Sequence, residues 1–174
     1  MSETVQEYIQ RILSNSAGKD PVKVQSATPV KLKKLIQGAP AAKLRKRPAP
    51  GKWSASEIIA HLGDAELATS WRIRQILSAP GTPLQAYDQD AWAASGRYEK
   101  RDARKSLELF RVLREANLAL LKSLTPAQHQ LHGLHAERGV ETIDHITKMM
   151  AGHDLNHLAQ VERVVARKKS QKSS

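Results

Sequence analysis

The segment Met149-Met150-Ala151-Gly152-His153-Asp154-Leu155-Asn156-His157-Leu158 carries two histidines four residues apart. On an α-helix, residues i and i+4 lie one above the other on the same face, so both imidazoles can reach one small ion. The apolar residues at helical spacing around the pair are Ile146, Met149, Met150 and Val164. This pattern predicts a long helix whose histidines face a core, where a shared divalent metal would satisfy both imidazoles. An accident of composition is the competing interpretation.

A third histidine lies on the helix with the strongest start signal in the chain. Ser54-Ala55-Ser56-Glu57 is a capping box, in which the serine hydroxyl accepts from a free backbone amide and the glutamate binds back to the cap. Glu57, His61 and Asp64 then form a polar stripe at positions i, i+4 and i+7. Three neutral imidazoles from two helices would leave an open coordination position on a zinc-like ion, as in catalytic sites. We therefore expect His61 to join the histidine pair.

The other helix signals predict an all-α protein. Apolar periodicity, caps and terminating glycines or prolines mark four principal helices, at about residues 28–38, 54–79, 102–124 and 142–167. In the first of these, Thr28-Pro29 is interpreted as the N-cap and first turn. A long crossover over residues 80–100, with a short helix near residues 90–94, separates the second and third helices, and residues 133–141 are expected to be a loop. This arrangement predicts a four-helix bundle, a fold that builds metal sites in its core.

Composition excludes several classes of protein. The chain has 174 residues and no cysteine, which excludes disulfides, thiolate metal sites and a cysteine nucleophile. We find no signal peptide, and no apolar run approaches the roughly 20 residues that span a bilayer. The expectation is a cytoplasmic protein without a membrane partner.

The formal charge of +11 lies in the flanks of the chain. Residues 53–160 hold 12 basic and 13 acidic side chains, whereas residues 1–52 hold 11 against 3 and residues 161–174 hold 5 against 1. Basic runs without interleaved aromatic residues more often lie in solvent-exposed helix ends or chain termini than in nucleic-acid binding sites. Nucleic acid is therefore not an expected partner. We divide the chain into a basic, partly helical and peripheral N-terminal extension (residues 1–27), a bundle (residues 28–167) and a basic disordered tail (residues 168–174).

Four segments together resemble the DinB-like superfamily of four-helix proteins. They are PAPGKWS (48–54), EIIAHLGDAE (57–66), YDQDAW (87–92) and GHDLNHLAQ (152–160). Members of this superfamily are described as metal-dependent hydrolases or as transferases of low-molecular-weight thiols such as bacillithiol or mycothiol. The resemblance implies an up-down-down-up bundle, a homodimer, and a metal held by His61, His153 and His157.

The chemistry implied is that of a divalent ion acting on a small-molecule substrate. Zinc, nickel, manganese and iron are all candidates for the ion. An open coordination position could activate water or a thiol supplied by a cosubstrate. Asp64 and Glu57 are the candidate catalytic carboxylates, as a base or as groups that orient the ligands, although the capping box is the stronger interpretation for Glu57. A non-catalytic metal-binding protein with a stress or interaction role is the alternative.

Several other polar residues are expected to lie outside the site. Asp154 follows a predicted ligand but points about 100° away around the helix, so we expect it at the surface or an interface. The remaining histidines are expected to face solvent, although His132 or His135 could line the mouth of the site; they are His129, His132, His135 and His145.

Overall fold

The structure is a computed structural model, which describes residues 3–166. Its helices are α1 (Val5–Asn15), α2 (Pro21–Ile36), α3 (Ala41–Arg45), α4 (Ala55–Ser78), α5 (Gln89–Ser95), a 3-10 turn (Tyr98–Lys100), α6 (Ala103–Ser123), α7 (Pro126–His129) and α8 (Ile143–Ala166). Its strands are β1 (Pro83–Leu84), β2 (His132–His135) and β3 (Gly139–Thr142). The basic tail predicted over residues 168–174 lies outside the described residues.

The four long helices α2, α4, α6 and α8 form the bundle, with α4 beside α6 and α2 beside α8. α4 and α6 run parallel, because the crossover between them returns the chain to the same end of the bundle. α8 runs antiparallel to α4 and parallel to α2. The contacts that set these directions are Gln25 with Thr147, Gly63 with Ser106, His61 with His153, and Thr69 with Met150. The predicted up-down-down-up bundle with its long crossover is confirmed.

The N-terminal region packs against the bundle instead of lying at its periphery. α1 lies along α8, where Ile12 is fully buried and Asn15 Nδ2 donates to Gly152 O at 3.4 Å. A capping box at Thr4 starts α1. The expectation of a peripheral extension is therefore wrong for α1.

α2 begins earlier than the sequence pattern indicated. Its first residue is Pro21, preceded by an aspartate cap, so the predicted start at Thr28 is wrong and the proposed boundary at residues 27/28 falls inside the helix. Pro29 lies mid-helix and has no amide hydrogen, which leaves the carbonyl of Gln25 without its helical donor. The guanidinium of Arg114 supplies a donor to that carbonyl at 3.2 Å. A tertiary contact thus compensates for a helix-breaking residue.

A small three-stranded sheet replaces the loop predicted over residues 133–141. β2 pairs antiparallel with β3 and parallel with β1, and Gly139 allows the tight connection with a φ of 77°. At Gly133 a Cβ would lie 2.7 Å from the side chain of Leu84, so β1 can approach only because no side chain is present. The strands are too short and too rich in glycine and histidine to show an alternating pattern. Their buried side chains include His135 and Glu141.

A buried ionic cluster joins all four bundle helices. Arg114 of α6 donates to Glu66 of α4 at 2.9 Å and to Asp154 of α8 at 3.0 Å, besides its bond to the α2 carbonyl. Each of the three charged side chains is at most 1% exposed. The prediction that Asp154 lies at a surface is wrong, because α8 packs against α1, α2 and α4 and so is buried on more than one face.

Two apolar clusters flank this ionic layer. One contains Leu62, Phe110 and Leu158, and the other contains Ile76 and Leu121. The bundle therefore has an apolar, an ionic and a second apolar region along its axis. Within residues 3–166, no helix is both long enough and apolar enough to cross a membrane.

Replacing Gly152 with alanine should displace α1 and destabilise the protein. The new Cβ would lie 1.9 Å from the backbone oxygen of Ile12, and overpacking of this kind costs about 1–3 kcal/mol. Gly63→Ala is the matched control, because its nearest neighbours are 3.9 Å away and alanine stabilises a helix interior by roughly 0.5–1 kcal/mol. Urea denaturation measures both changes. A Gly152→Ala protein as stable as the control would show that α1 does not pack against α8 in this way.

Candidate metal centre

Three histidine side chains converge between α4 and α8. The Nε2 atoms of His61 and His157 each lie 3.1 Å from Nε2 of His153. Nitrogen ligands at 2.0–2.1 Å from a tetrahedral zinc ion would lie about 3.3 Å apart. The spacing therefore fits three ligands of one ion, and the structure brings together the three histidines that the sequence singled out.

The helices and their neighbours orient the three rings. His153 and His157 are one turn apart on α8, and the antiparallel α4 brings His61 to face them. The ring of Trp53 packs against His61 with 5.0 Å between centroids. Gln160 Oε1 lies 2.8 Å from Nδ1 of His157, and since an amide oxygen only accepts, this nitrogen carries the proton. The lone pair of the neutral His157 ring is then on Nε2, which faces the other two histidines.

Hydrogen bonds among the three rings cannot satisfy this arrangement. A single proton on Nε2 of His153 could serve His61 or His157, but not both. Nδ1 of His153 is also buried without a partner among the described residues. One cation accepting all three Nε2 lone pairs would satisfy the facing nitrogens together, so the donor set fits a divalent metal.

Burial keeps these imidazoles uncharged. Desolvation, with a smaller contribution from the charge of His157, lowers the pKa of His61 to about 3. Desolvation likewise lowers the pKa of His157 to about 4 and the pKa of His153 well below its usual value. At neutral pH all three lone pairs are therefore available to a metal, as imidazole ligation requires.

Two cavities that adjoin at Gln89 and Asp90 reach the histidines. The first cavity, of about 480 Å³, is lined by His61 and His153 and extends along α4 to Arg72 and His135. The second cavity, of about 940 Å³, is lined by His157 together with residues of the loop before α4 and the end of α8. Both volumes lie within the range of small-molecule sites.

The two candidate catalytic carboxylates are bound elsewhere. Glu57 accepts from the backbone amide of Ser54 at 2.8 Å, as its capping box predicted, and it also pairs with Arg47. Asp64 accepts from the hydroxyl of Tyr98 at 2.6 Å and pairs with Arg101 at 3.2 Å. Neither carboxylate lines the first or the second cavity.

Asp64 is connected to the histidines through aromatic side chains. The ring of Tyr98, which Asp64 holds, meets the ring of Trp53 edge-on at 6.3 Å, and Trp53 in turn packs on His61. Through these contacts Asp64 could help to position the ring of His61. The catalytic assignments of Asp64 and Glu57 stay predictions.

Sequence reasoning missed part of the first cavity. His135 was expected to face solvent but is 3% exposed; the alternative that it lines the site mouth agrees with its place in the first cavity. Arg72 was not singled out, although it continues the spacing of His61, Ala65 and Thr69 along one face of α4, a signal that was available. Glu141 could not be found, because its burial depends on the unpredicted sheet. The other three histidines are partly exposed.

The sequence profile described as the DinB superfamily matches residues 26–161. The chain belongs to the DinB superfamily. A DinB relative, "Putative metal-dependent hydrolase YfiT" of Bacillus subtilis, is 24% identical over 169 residues, which cover 96% of this chain and 95% of YfiT. "Putative metal-dependent hydrolase OB0782" of Oceanobacillus iheyensis is 26% identical over 118 residues, 68% of each chain.

The DinB fold is also found in a solved structure. YfiT from Bacillus subtilis, described as having an unusual four-helix bundle topology, superposes with a TM-score of 0.79 over 95% of this chain and 90% of that chain. The sequence identity is 21%, so this likeness shows the shared fold.

The stability of the metal-free protein should decrease in mild acid. The pKa values of His61 and His157, about 3 and about 4, lie below the value near 6.5 of an unfolded chain, so the unfolded state binds protons first as the pH falls. Stability is then almost fully present above about pH 7.5, decreases as the pH falls through the unfolded pKa of about 6.5, and continues to decrease down to about pH 3. Urea denaturation at a series of pH values measures this.

A variant with both His61→Gln and His157→Gln should lose a large part of this dependence, because only His153 of the three imidazoles remains, whereas His129→Gln should retain it. The same pH profile in the double variant and in the wild type would contradict the burial of neutral imidazoles at this centre.

Proposed function

We infer that this chain is a metal-dependent enzyme acting on small molecules, as a hydrolase or as a low-molecular-weight-thiol transferase, with His61, His153 and His157 as the ligands. The observation that carries this inference is the convergence of three neutral Nε2 atoms at 3.1 Å spacings between two cavities. The names of the two relatives, which call them metal-dependent hydrolases, support it. Imidazole ligands suit zinc, nickel and iron, and manganese also stays a candidate for the ion.

A divalent ion at this centre would lower the pKa of water or of a small thiol in its open coordination position. The chain's own residues provide the binding and orientation. Gln160 fixes the tautomer of His157, and Trp53 packs against His61, so that the ligand lone pairs keep one direction. Asp64 holds Tyr98 behind Trp53 and thereby restricts the position of that indole.

The two cavities favour a reaction with two substrates. His61 and His153 line the first cavity, and His157 lines the second, which adjoins it at Gln89 and Asp90, so the combined space could hold two molecules beside one centre. The chain has no cysteine, and a thiol nucleophile would therefore have to come from a cosubstrate. A hydrolase, by contrast, would need only one cavity for its substrate, because its second reactant is water.

One observation favours the non-catalytic alternative. Glu57 and Asp64, the carboxylates expected to act as base, are engaged with Arg47 and Arg101 and lie outside both cavities. A metal-binding protein with a stress or interaction role would need no base. Turnover measurements distinguish the two functions.

Replacing His157 with alanine should abolish the binding of about one divalent ion per chain and the activity that depends on it. Metal content is measured by elemental analysis of protein purified without a histidine tag or chelator. Turnover is measured on a panel of esters, amides and epoxides, with and without bacillithiol or mycothiol. His129→Ala is the control that should retain both properties. Full metal content in the His157→Ala protein would contradict the ligand set, and bound metal without turnover would favour the non-catalytic function.

A homodimer is the assembly that the resemblance implies, and we infer it here on one further observation. Four apolar side chains on the outward faces of the adjacent helices α4 and α6 are about half exposed or more; they are Leu67, Trp71, Leu109 and Val112. An apolar patch of this kind is typical of an interface. Light scattering should show a dimer that Trp71→Glu converts to a monomer, whereas Lys31→Glu, at an exposed position of α2 outside the patch, should not. A wild-type monomer would contradict the inference.

A cytoplasmic location stays a prediction.

A further inference from the structure

The far end of the first cavity contains a guanidinium without a carboxylate partner. Arg72 is only 9% exposed and makes no ion pair within residues 3–166. Its Nη2 donates to the backbone oxygen of Gln85 at 2.5 Å, and its guanidinium lies 5.6 Å from the ring centre of Tyr87. Both contacts hold the guanidinium in place without neutralising its charge. A buried, unpaired cation is costly unless an anion binds to it.

A second donor in the same cavity is also without a partner. Nδ1 of His135 faces the backbone amides of Glu137 and Arg138, at 3.2 Å and 3.4 Å. Since amides only donate, this nitrogen is the acceptor, and the proton of the neutral ring is on Nε2. That Nε2 atom is buried and has no hydrogen-bond partner among the described residues. His135 therefore offers an N–H group to the cavity.

The acidic residues of the first cavity do not neutralise Arg72. Glu141 is paired with Arg138 at 2.7 Å, and Glu3 is paired with Arg11 at 2.6 Å. The remaining acids are exposed at the rim; they are Asp88, Asp90 and Glu137. The interior of the cavity thus has one unpaired positive charge and one neutral donor. This suits a monoanionic acceptor better than a dianionic phosphate.

We propose that Arg72 and the Nε2–H group of His135 bind a carboxylate of the substrate, at the opposite end of the first cavity from the three histidines. The position of the reacting group, though not the carboxylate site itself, rests on the proposed metal-dependent function. His61 and Arg72 are eleven residues apart on α4, a rise of about 16 Å, and both line the first cavity. The substrate class is therefore a small, extended acid whose reacting group is separated from its carboxylate by a short chain.

The test uses compounds that join a hydroxamate, which chelates zinc, to a terminal carboxylate through about two to six methylene groups. The matched compounds carry the methyl ester of the same acid. Calorimetry with zinc-loaded protein should show, for at least one chain length, that the carboxylate binds about tenfold or more tightly than its ester. If both series bind and the carboxylate and its ester have equal affinities at every chain length, the carboxylate site is overturned. Binding of both series would still support the metal centre.

Variants assign the effect to the two donors. Arg72→Gln and His135→Leu should remove the preference for the carboxylate without weakening the esters. His135→Gln, which places an amide N–H near the position of Nε2, should restore part of it. Arg74→Gln removes the same charge from an exposed position two residues away and should change nothing. An unchanged preference in Arg72→Gln protein that melts normally would overturn the assignment.

A metal-independent measurement separates this proposal from the proposed function. If the protein holds no zinc and neither series binds, the monocarboxylate pentanoate is titrated into the metal-free protein while the ring resonances of His135 are followed by NMR. A saturable shift that Arg72→Gln abolishes supports the carboxylate site even though the metal centre has failed. The absence of any shift up to high millimolar pentanoate overturns it.

Discussion

The position of every bundle helix depends on the buried guanidinium of Arg114. It bonds to Glu66 of α4, to Asp154 of α8 and to the Gln25 carbonyl of α2, so one side chain of α6 contacts the other three helices. Leaving one member of such a cluster unpaired costs about 3–5 kcal/mol. Since whole domains are stable by only roughly 5–15 kcal/mol, a helix that slipped by one turn would lose a large part of that stability. Apolar packing alone tolerates more repacking and fixes the register less strictly.

The same cluster places the candidate metal centre. Asp154 directly follows His153 on α8, and Glu66 is five residues after His61 on α4, so the two helices that hold the histidines are both fixed next to them. The charges of the cluster act on the two histidines of α8 in opposite directions, because Asp154 raises the pKa of His157 whereas Arg114 lowers the pKa of His153. The contribution of the cluster to the metal centre is therefore to fix the helices that hold the histidines.

The sequence predicted features that depend on local spacing and missed those that depend on packing. The i, i+4 histidines, the capping box of Glu57 and the short helix in the crossover are local, and the structure has all three. Asp154 was misplaced because a single buried face was assumed for α8, which in fact packs on three helices. Pro29 was interpreted as a helix start because the donor that replaces its missing amide comes from Arg114, 85 residues later in the chain. Arg72 and His135 could not be recognised as one site from the sequence, because only the folded chain shows that they line the same cavity.

The distribution of charge in the first cavity favours chemistry through a bound cation over acid–base chemistry by side chains. A general base works best with a pKa near the working pH, but burial lowers the pKa of His61 to about 3 and that of His157 to about 4. The carboxylate of Glu141 is engaged with a guanidinium, and those of Glu57 and Asp64 lie outside the cavity. Neutral imidazoles that cannot take a proton at pH 7 remain good ligands, because a metal needs only their lone pairs. The burial that makes these histidines poor bases thus makes them suitable for a metal, and the unpaired Arg72 is left to recognise the substrate.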